Sequence, residues 1–385
     1  MSTTKTNNIP FIDLQAQYKR IGPQIDAAMQ RVVAHGKFIM GPEIAQLEEE
    51  LAAFAGTECC VSCSSGTDAL LMALMVYDIG PGDAVFVPTF TFIATAEVVS
   101  LLGATPVFVD IEPDTYNIAP ADLERRIRHV RDNTDLTPRA IIPVDLFGLP
   151  ADYDAITAIA EQHDLTVIED AAQSFGASRD DHRAGSLGDI AATSFFPAKP
   201  LGCYGDGGAV FTDDPQAADI LKSIRVHGKG DHKYSNVRIG LNARIDTLQA
   251  AVLLEKLKVY ADEIGKRQQV AAHYNTALAE KAPDLTTPVM PDNADATSVW
   301  AQYTVRGAAR EKLQGLLREQ GIPTAIYYPK PLHLQAAFES LGYKPGDFPT
   351  AEAASEQVFS LPFHPYLESD TIDYIAETLG NAMDN

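Results

Sequence analysis

Two periods organise the apolar positions of this chain. In Pro23–His35, Ile25, Met29, Val32 and Val33 recur at helical spacing between an opening proline and Gly36, and Pro42–Ala55 repeats the arrangement before Gly56. Short continuous apolar runs then follow at Ala84–Val87, Thr105–Val109, Ala140–Val144, Leu165–Ile168, Ala191–Phe196 and Ala209–Thr212, mostly with helical segments between them. Runs that are apolar on both faces suit strands covered on both sides, so the rhythm predicts an α/β fold with a mainly parallel sheet flanked by helices. Ile245 to about Leu278 predicts one long helix, and proline-rich stretches near 282–292 and 323–331 mark loops of a smaller α+β region. The expected division is a large ligand-binding domain over residues 1–250, N-terminal helices included, and a second unit over 251–385 made of the long helix and the small C-terminal domain.

Composition supports that outline. With 385 residues, 46% hydrophobic and 21% charged, the chain can bury one large core and a smaller second one. No run approaches the roughly 18 apolar residues of a membrane span, and residues 1–8 lack the apolar centre of a signal peptide, which points to a cytoplasmic protein without a membrane partner. A net charge of −22 argues against nucleic acid, whose binding needs clustered cations. Cys59, Cys60, Cys63 and Cys203 form no disulfide framework; Cys60 and Cys63 lack a second ligand pair for zinc, so buried thiols and no metal are expected.

The chemistry concentrates in three places. Lys199 stands among aromatics and glycines in Ser194-Phe195-Phe196-Pro197-Ala198-Lys199-Pro200-Leu201-Gly202. An ammonium in such surroundings loses solvation and its pKa falls, and the neutral amine can form a Schiff base with a carbonyl, the use pyridoxal phosphate makes of a lysine. A partly exposed lysine in a turn is the other reading. Asp170 ends the apolar run of Leu165–Ile168, where open α/β sheets bind ligands. At about 4 Å, a carboxylate there would hold a pyridinium by roughly 4 kcal/mol at an effective dielectric of 20; it could equally cap the next helix. Gln173 can reach a ring hydroxyl or complete that cap. Ser64-Ser65-Gly66-Thr67 leads into an Ala/Leu-rich helix, so free N–H groups and the helix dipole would face a phosphate, unless the serine is an ordinary N-cap. Ser194 adds a hydroxyl.

These motifs together resemble the DegT/DnrJ/EryC1/StrS family of pyridoxal-phosphate sugar aminotransferases, from about Phe11 to the C-terminus. Besides the segments above, the resemblance rests on Pro88-Thr89-Phe90-Thr91-Phe92, Glu169-Asp170-Ala171-Ala172-Gln173, Gly205-Asp206-Gly207-Gly208-Ala209-Val210 and Gly240-Leu241-Asn242-Ala243-Arg244-Ile245-Asp246. It implies the type I (aspartate aminotransferase-like) fold. It makes Lys199 the Schiff-base lysine, Asp170 the pyridine-nitrogen partner and Gln173 the contact to the ring hydroxyl. Ser65, Gly66, Thr67 and Ser194 would hold the phosphate, and Phe92 would lie over the ring, with Phe90 close enough to compete for that role. Asn242 would reach the phosphate of a neighbouring subunit, which implies a homodimer with composite sites. Pyridoxal 5′-phosphate is the implied cofactor, passing through pyridoxamine 5′-phosphate, with L-glutamate as donor and a keto-sugar nucleotide as acceptor.

The acceptor is itself anionic, so local cations must overcome the general field of the chain. The run 225–238 holds four Lys or Arg residues against one acid and is expected to be a loop near the site's mouth. Arg244, two residues past Asn242, would approach the partner's site and grip a carboxylate bidentately, unless it pairs with Asp246 or with the donor's carboxylate. With Tyr328-Pro329-Lys330-Pro331-Leu332-His333, in which Tyr328 is a candidate substrate contact and His333 either a second one or a structural residue, the chain is most similar to the branch that aminates UDP-2-acetamido-2-deoxy-3-oxo-D-glucuronate for O-antigen and other lipopolysaccharide sugars. Aminotransferases of dTDP-3-keto or 4-keto-6-deoxysugars are the nearest alternative within the family, and a non-catalytic regulator that binds the cofactor is the alternative of another class. His364, between prolines, is expected to pack.

Overall fold

A computed structural model describes residues 9–232, 234–291 and 295–383; residues 1–8, Lys233 in the basic run and Asp292 in the first proline-rich loop lie outside the described residues. The chain opens with α1 (Leu14–His35) and α2 (Pro42–Ala55). Helix α1 starts nine residues before the expected Pro23, because the Asp13 carboxylate accepts the Ala16 N–H at 2.8 Å and caps an earlier turn. Pro23 therefore lies inside the helix. Residues 18–20 are exposed, so the Lys19 carbonyl that proline cannot serve meets water. Gly36 ends α1 and Gly56 ends α2 in the left-handed region, at φ of 70° and 82°.

Seven strands form the central sheet: β1 (Cys59–Cys63), β2 (Asp83–Pro88), β3 (Thr105–Val109), β4 (Thr137–Ile141), β5 (Thr166–Asp170) and, after a small hairpin of β6 (Ser178–Arg179) and β7 (His182–Arg183), β8 (Ile190–Ser194) and β9 (Gly208–Thr212). Their spatial order is β1-β9-β8-β5-β4-β2-β3. Pairs β3/β2, β2/β4, β4/β5 and β5/β8 are parallel, while β9 runs antiparallel to both β8 and β1. The one reversed strand follows from its connection. β8 and β9 are joined by residues 195–207, which carry Lys199 and no crossover helix, so the chain can only turn back. The edge strand β1 escapes the hydrophobic pattern because Cys-Cys-Val-Ser-Cys shows no long apolar run, yet all but Cys59 are buried.

Helices α3 (Gly66–Val76), α4 (Ala94–Leu101), α5 (Pro120–Asn133), α6 (Tyr153–His163) and α7 (Pro215–Ile224) cover the faces of the sheet. The 35-residue α8 (Thr247–Lys281) packs on α1 and α2 near its start and on α11 (Ser369–Met383) further along. A second core gathers around it from Tyr274, Leu278, Tyr303, Val305, Phe359, Leu361, Ile375 and Leu379, where β11 (Tyr303–Arg306) pairs antiparallel with the distant β12 (Val358–Leu361). The strip of β10 (Ala296–Thr297) adds to β6, and α9 (Arg310–Glu319) flanks α11. Leu332, Phe338, Phe348, Ala351 and Ala354, the last two in α10 (Pro349–Gln357), return to the core of the large sheet. No helix among the described residues is long and apolar enough to cross a membrane.

One buried ion pair ties the site's supports together. Arg225, just after α7, pairs with Glu48 of α2 and donates to the Ser62 carbonyl of β1 at 2.8 Å, while Glu48 accepts from the Ser62 N–H at 3.0 Å and hydroxyl at 2.6 Å. Replacing Arg225 by Met leaves a largely buried carboxylate without its cation. Urea unfolding is expected to show a loss of about 3 kcal/mol, the lower end for breaking such a pair, with much of it restored by the double change Arg225→Met, Glu48→Gln.

Candidate active site

Because β1, β2, β4, β5 and β8 all run the same way, their carboxyl ends deliver residues 64–67, 89–95, 145, 170 and 194 to one edge of the sheet. Gly208, first in β9, lies between Cys63 of β1 and Ser194 of β8. Its missing side chain is what lets the chain cross above it: a Cβ on Gly208 would stand 2.4 Å from the Ser65 carbonyl oxygen, and one on Gly66 would stand 2.6 Å from Ser194 Cβ. The start of α3 is thereby pressed onto the end of β8. Ser65 is its N-cap, its hydroxyl accepting from the Asp68 N–H at 3.0 Å, and Gly66 and Thr67 are the first residues of the helix, with no carbonyl a turn earlier to take their N–H groups. The Ser194 hydroxyl accepts from the Phe196 N–H at 3.2 Å and keeps its own hydrogen to donate. The structure thus brings Ser65, Gly66, Thr67 and Ser194 into one cradle, and the donors exposed there suit a phosphate.

Asp170 is buried at the end of β5, with Oδ2 accepting from the Thr95 hydroxyl at 2.9 Å and Oδ1 from the Ala172 N–H at 3.2 Å. Burial nevertheless raises its pKa above the ordinary carboxylate value, against the pull of Thr95, Ala172 and Lys199. Such a carboxylate suits a cationic partner. Lys199 is half-buried on the loop after β8; desolvation lowers its pKa and outweighs the attraction of Asp170. This is the direction a nucleophilic amine requires. Thr95 has no counterpart among the expected site residues. Its trace in the sequence is the pair Thr91 and Thr95 one helical turn apart, whose hydroxyls meet at 3.2 Å.

The Gln173 amide oxygen accepts from the Phe147 N–H at 3.0 Å and its NH2 donates to the Tyr328 hydroxyl at 3.3 Å, so Gln173 and Tyr328 do meet. Phe90 and Phe92 separate cleanly. Phe90 is fully buried against Tyr116 and Tyr328, whereas Phe92 is 54% exposed and free to cover a ring. His333 takes the structural of its two expected roles and not that of a substrate contact: it is buried, Nδ1 bonds Thr89 Oγ1 at 2.8 Å, Nε2 meets Glu352 at 3.2 Å, and its ring packs on Phe348. Both nitrogens are used in bracing the loop that carries Tyr328. His364 is buried as expected, its pKa pushed down to about 4 by burial. Asn242 is exposed, and Ala243 anchors its segment by accepting from the Ser64 N–H at 3.0 Å and donating to the Arg225 carbonyl at 3.1 Å. Arg244 is half-buried with an unpartnered, buried Nε, and no ion pair joins it to Asp246 among the described residues. The four cysteines are free thiols, three of them buried, and no cluster among the described residues suits a metal.

A phosphate cradle, a buried carboxylate for a pyridinium and a desolvated amine, all at the carboxyl edge of one sheet, fit pyridoxal phosphate and define an aminotransferase of the type I fold. The chain belongs to the DegT/DnrJ/EryC1/StrS aminotransferase family, whose pattern it matches over residues 19–380. It is 50% identical over 375 residues, 97% of this chain and all of the relative, to the UDP-2-acetamido-2-deoxy-3-oxo-D-glucuronate aminotransferase of Pseudomonas aeruginosa. A DegT/DnrJ/EryC1/StrS aminotransferase from Brucella abortus superposes with a TM-score of 0.93 at 51% identity, covering 97% of this chain and 99% of the other. NtdA from Bacillus subtilis, solved with bound cofactor PMP, gives 0.86 at 29% identity, covering 100% of this chain and 85% of its own.

The close approach at Gly208 yields a direct check. Gly208→Ala is expected to push the start of α3 off Ser194 and weaken binding of pyridoxal 5′-phosphate at least about tenfold, the scale of one lost hydrogen bond to a charged group, in a fluorescence titration of the cofactor-free protein.

Proposed function

We propose that this enzyme moves the amino group of L-glutamate to C3 of UDP-2-acetamido-2-deoxy-3-oxo-D-glucuronate, working as a homodimer whose sites are composite. The observation that carries the choice of acceptor is Arg244: a half-buried guanidinium on a segment anchored beside Ser64, it makes no ion pair among the described residues and can take an anion from outside its own chain. A uronate carboxylate supplies one, in the planar geometry arginine matches best. The exposure of Asn242 next to it supports the reading that both residues serve the partner's site, Asn242 at the phosphate and Arg244 at the sugar. The similarity to the Pseudomonas aeruginosa enzyme points the same way.

The geometry supports the following roles for the chain's residues. Ser65, Gly66, Thr67 and Ser194 would hold the phosphate. Asp170, steadied by Thr95, would serve as the ionised partner of the ring nitrogen, Gln173 would meet the ring hydroxyl, and Phe92 would cover one ring face. When bound, the cofactor supplies a carbonyl for the amino group and a ring that takes up the electron pair released at the donor's α-carbon. Lys199, as a neutral amine, would take the proton from the donor's α-carbon and, with the keto-sugar, would carry a proton the other way. Its lowered pKa lets the neutral form act. Tyr328, held by Gln173, would contact the sugar.

Lys199→Ala is expected to reduce transamination on the order of 10³-fold or more, the scale of a lost general base. Asp170→Asn, which keeps shape and removes charge, is expected to retain cofactor and slow the chemistry about 10³-fold, as the roughly 4 kcal/mol of the ion pair converts. Assays of glutamate with the keto-sugar nucleotide read both; a Lys199→Ala protein that still turned over at the normal rate would remove the central assignment.

Arg244→Ala is the test of the acceptor. Followed separately by absorbance of the bound cofactor, the half-reaction with the uronate is expected to lose about 2–5 kcal/mol, and the half-reaction with glutamate to stay intact. Equal damage to both would move Arg244 to the donor's carboxylate. No damage to either would favour a 6-deoxysugar acceptor.

A further inference from the structure

Behind Asp170 lie two more carboxyl groups that the chemistry above does not use. Asp145 follows β4, and its N–H donates to the Asp170 carbonyl at 3.2 Å. Its Oδ1 accepts from the Ala151 N–H at 2.9 Å and the Tyr153 hydroxyl at 3.1 Å, and its Oδ2 from the Ser174 hydroxyl at 2.7 Å. Glu169, the residue before Asp170, accepts from the N–H groups of Gly185 at 2.7 Å and Leu187 at 2.8 Å. Both acids are wholly buried, and their carboxyl groups meet in hydrogen-bonding contact. No Lys, Arg or His forms an ion pair with either among the described residues.

Two ionised carboxylates in contact, without water or a cation, repel each other strongly at low dielectric; one proton between them turns repulsion into a hydrogen bond. We propose that Asp145 and Glu169 share a single proton and act as a positioning pair for Asp170 and Gln173. The pair then carries one negative charge instead of two, which leaves Asp170 the ionised group facing Lys199. Through Ser174, Asp145 also pins the turn on which Gln173 sits. The inference rests on the role proposed for Asp170 at the ring nitrogen.

The groups facing the pair are Tyr153 from α6, Ser174 from the turn after β5, Asp170 itself and, beyond it, Lys199 from the loop after β8. Burial pushes the Asp145 carboxyl up to about 7 and that of Glu169 well above the usual range. The sign follows. Between the ordinary carboxylate range and about pH 7 the folded protein keeps a proton the unfolded chain has released, so this pair makes stability fall as pH rises through that window.

Infrared spectroscopy of the full-length protein, with carbon-13 in the Asp and Glu carboxyls, tests the shared proton without relying on activity. A buried protonated-carboxyl band is expected at about pH 6, fading by about pH 9 and absent from both Asp145→Asn and Glu169→Gln. No such band in the unmutated protein, or a band unchanged in both variants, overturns the shared proton. If one variant fails to fold, the labelled unmutated protein still decides. A second readout is the pH titration of the bound cofactor's absorbance. Above the pH at which the pair gives up its proton the unmutated pair carries two charges and Glu169→Gln only one, so the variant is expected to displace the midpoint downward by about one pH unit, a tenfold loss in proton affinity. A band that behaves as expected beside an unmoved titration would overturn the action of the pair on Asp170, whereas the placement of Asp170 at the ring nitrogen stands or falls on Asp170→Asn.

Discussion

Keeping one carboxylate charged in a place with almost no water is the constraint around which this molecule is arranged. Asp170 cannot satisfy itself from its own strand: burial raises its pKa, and only the Thr95 hydroxyl, the Ala172 N–H and the charge of Lys199 pull the other way. Each comes from a different part of the chain. A parallel sheet is the economical way to gather them, because every strand that runs in one direction ends at the same edge, and each loop there can contribute one group. The reversal of β9 adds the remaining piece, since a strand that turns straight back leaves a tight loop in which Lys199 can be desolvated within reach of Asp170.

The cradle for the phosphate depends on absence as much as on presence. Gly66 and Gly208 meet Ser194 and Ser65 at distances that no side chain could share. Two strand ends and a helix start are brought together by omitted Cβ atoms, and the hydroxyls follow. Arg225 then locks the arrangement from behind, joining α2, β1 and the segment that carries Asn242 and Arg244. A buried ion pair is a weak source of net stability, but with three elements converging on it, it is an effective way to fix their relative position.

The same edge underlies the proposed division of binding and chemistry between two chains. Residues 242–246 are anchored to Ser64 and to Arg225, yet Asn242 is exposed and Arg244 lacks a partner for its Nε. Rigid backbone beneath polar groups with unmet demands is the condition of a surface prepared for something outside the chain. Within the chain, by contrast, His333 has both nitrogens engaged and Phe90 is closed into the core, so proximity in sequence to Phe92 does not confer its exposure on Phe90.

The sequence by itself determined the layered α/β architecture, the long helix, and the segments bearing Lys199, Asp170, Gln173 and the Ser64–Thr67 turn, because apolar periodicity and glycine placement are local signals that survive without coordinates. It also carried the family resemblance through ordered motifs. Tertiary structure alone decided which of Phe90 and Phe92 is free, that His333 braces a loop, that Thr95 supports Asp170, and that α1 begins at Leu14 despite Pro23. Asp145 and Glu169 look like ordinary strand-end acids in the sequence. Their contact exists only when β4 and β5 lie side by side, and desolvation, which depends on everything packed around a group, leaves no mark on any single residue.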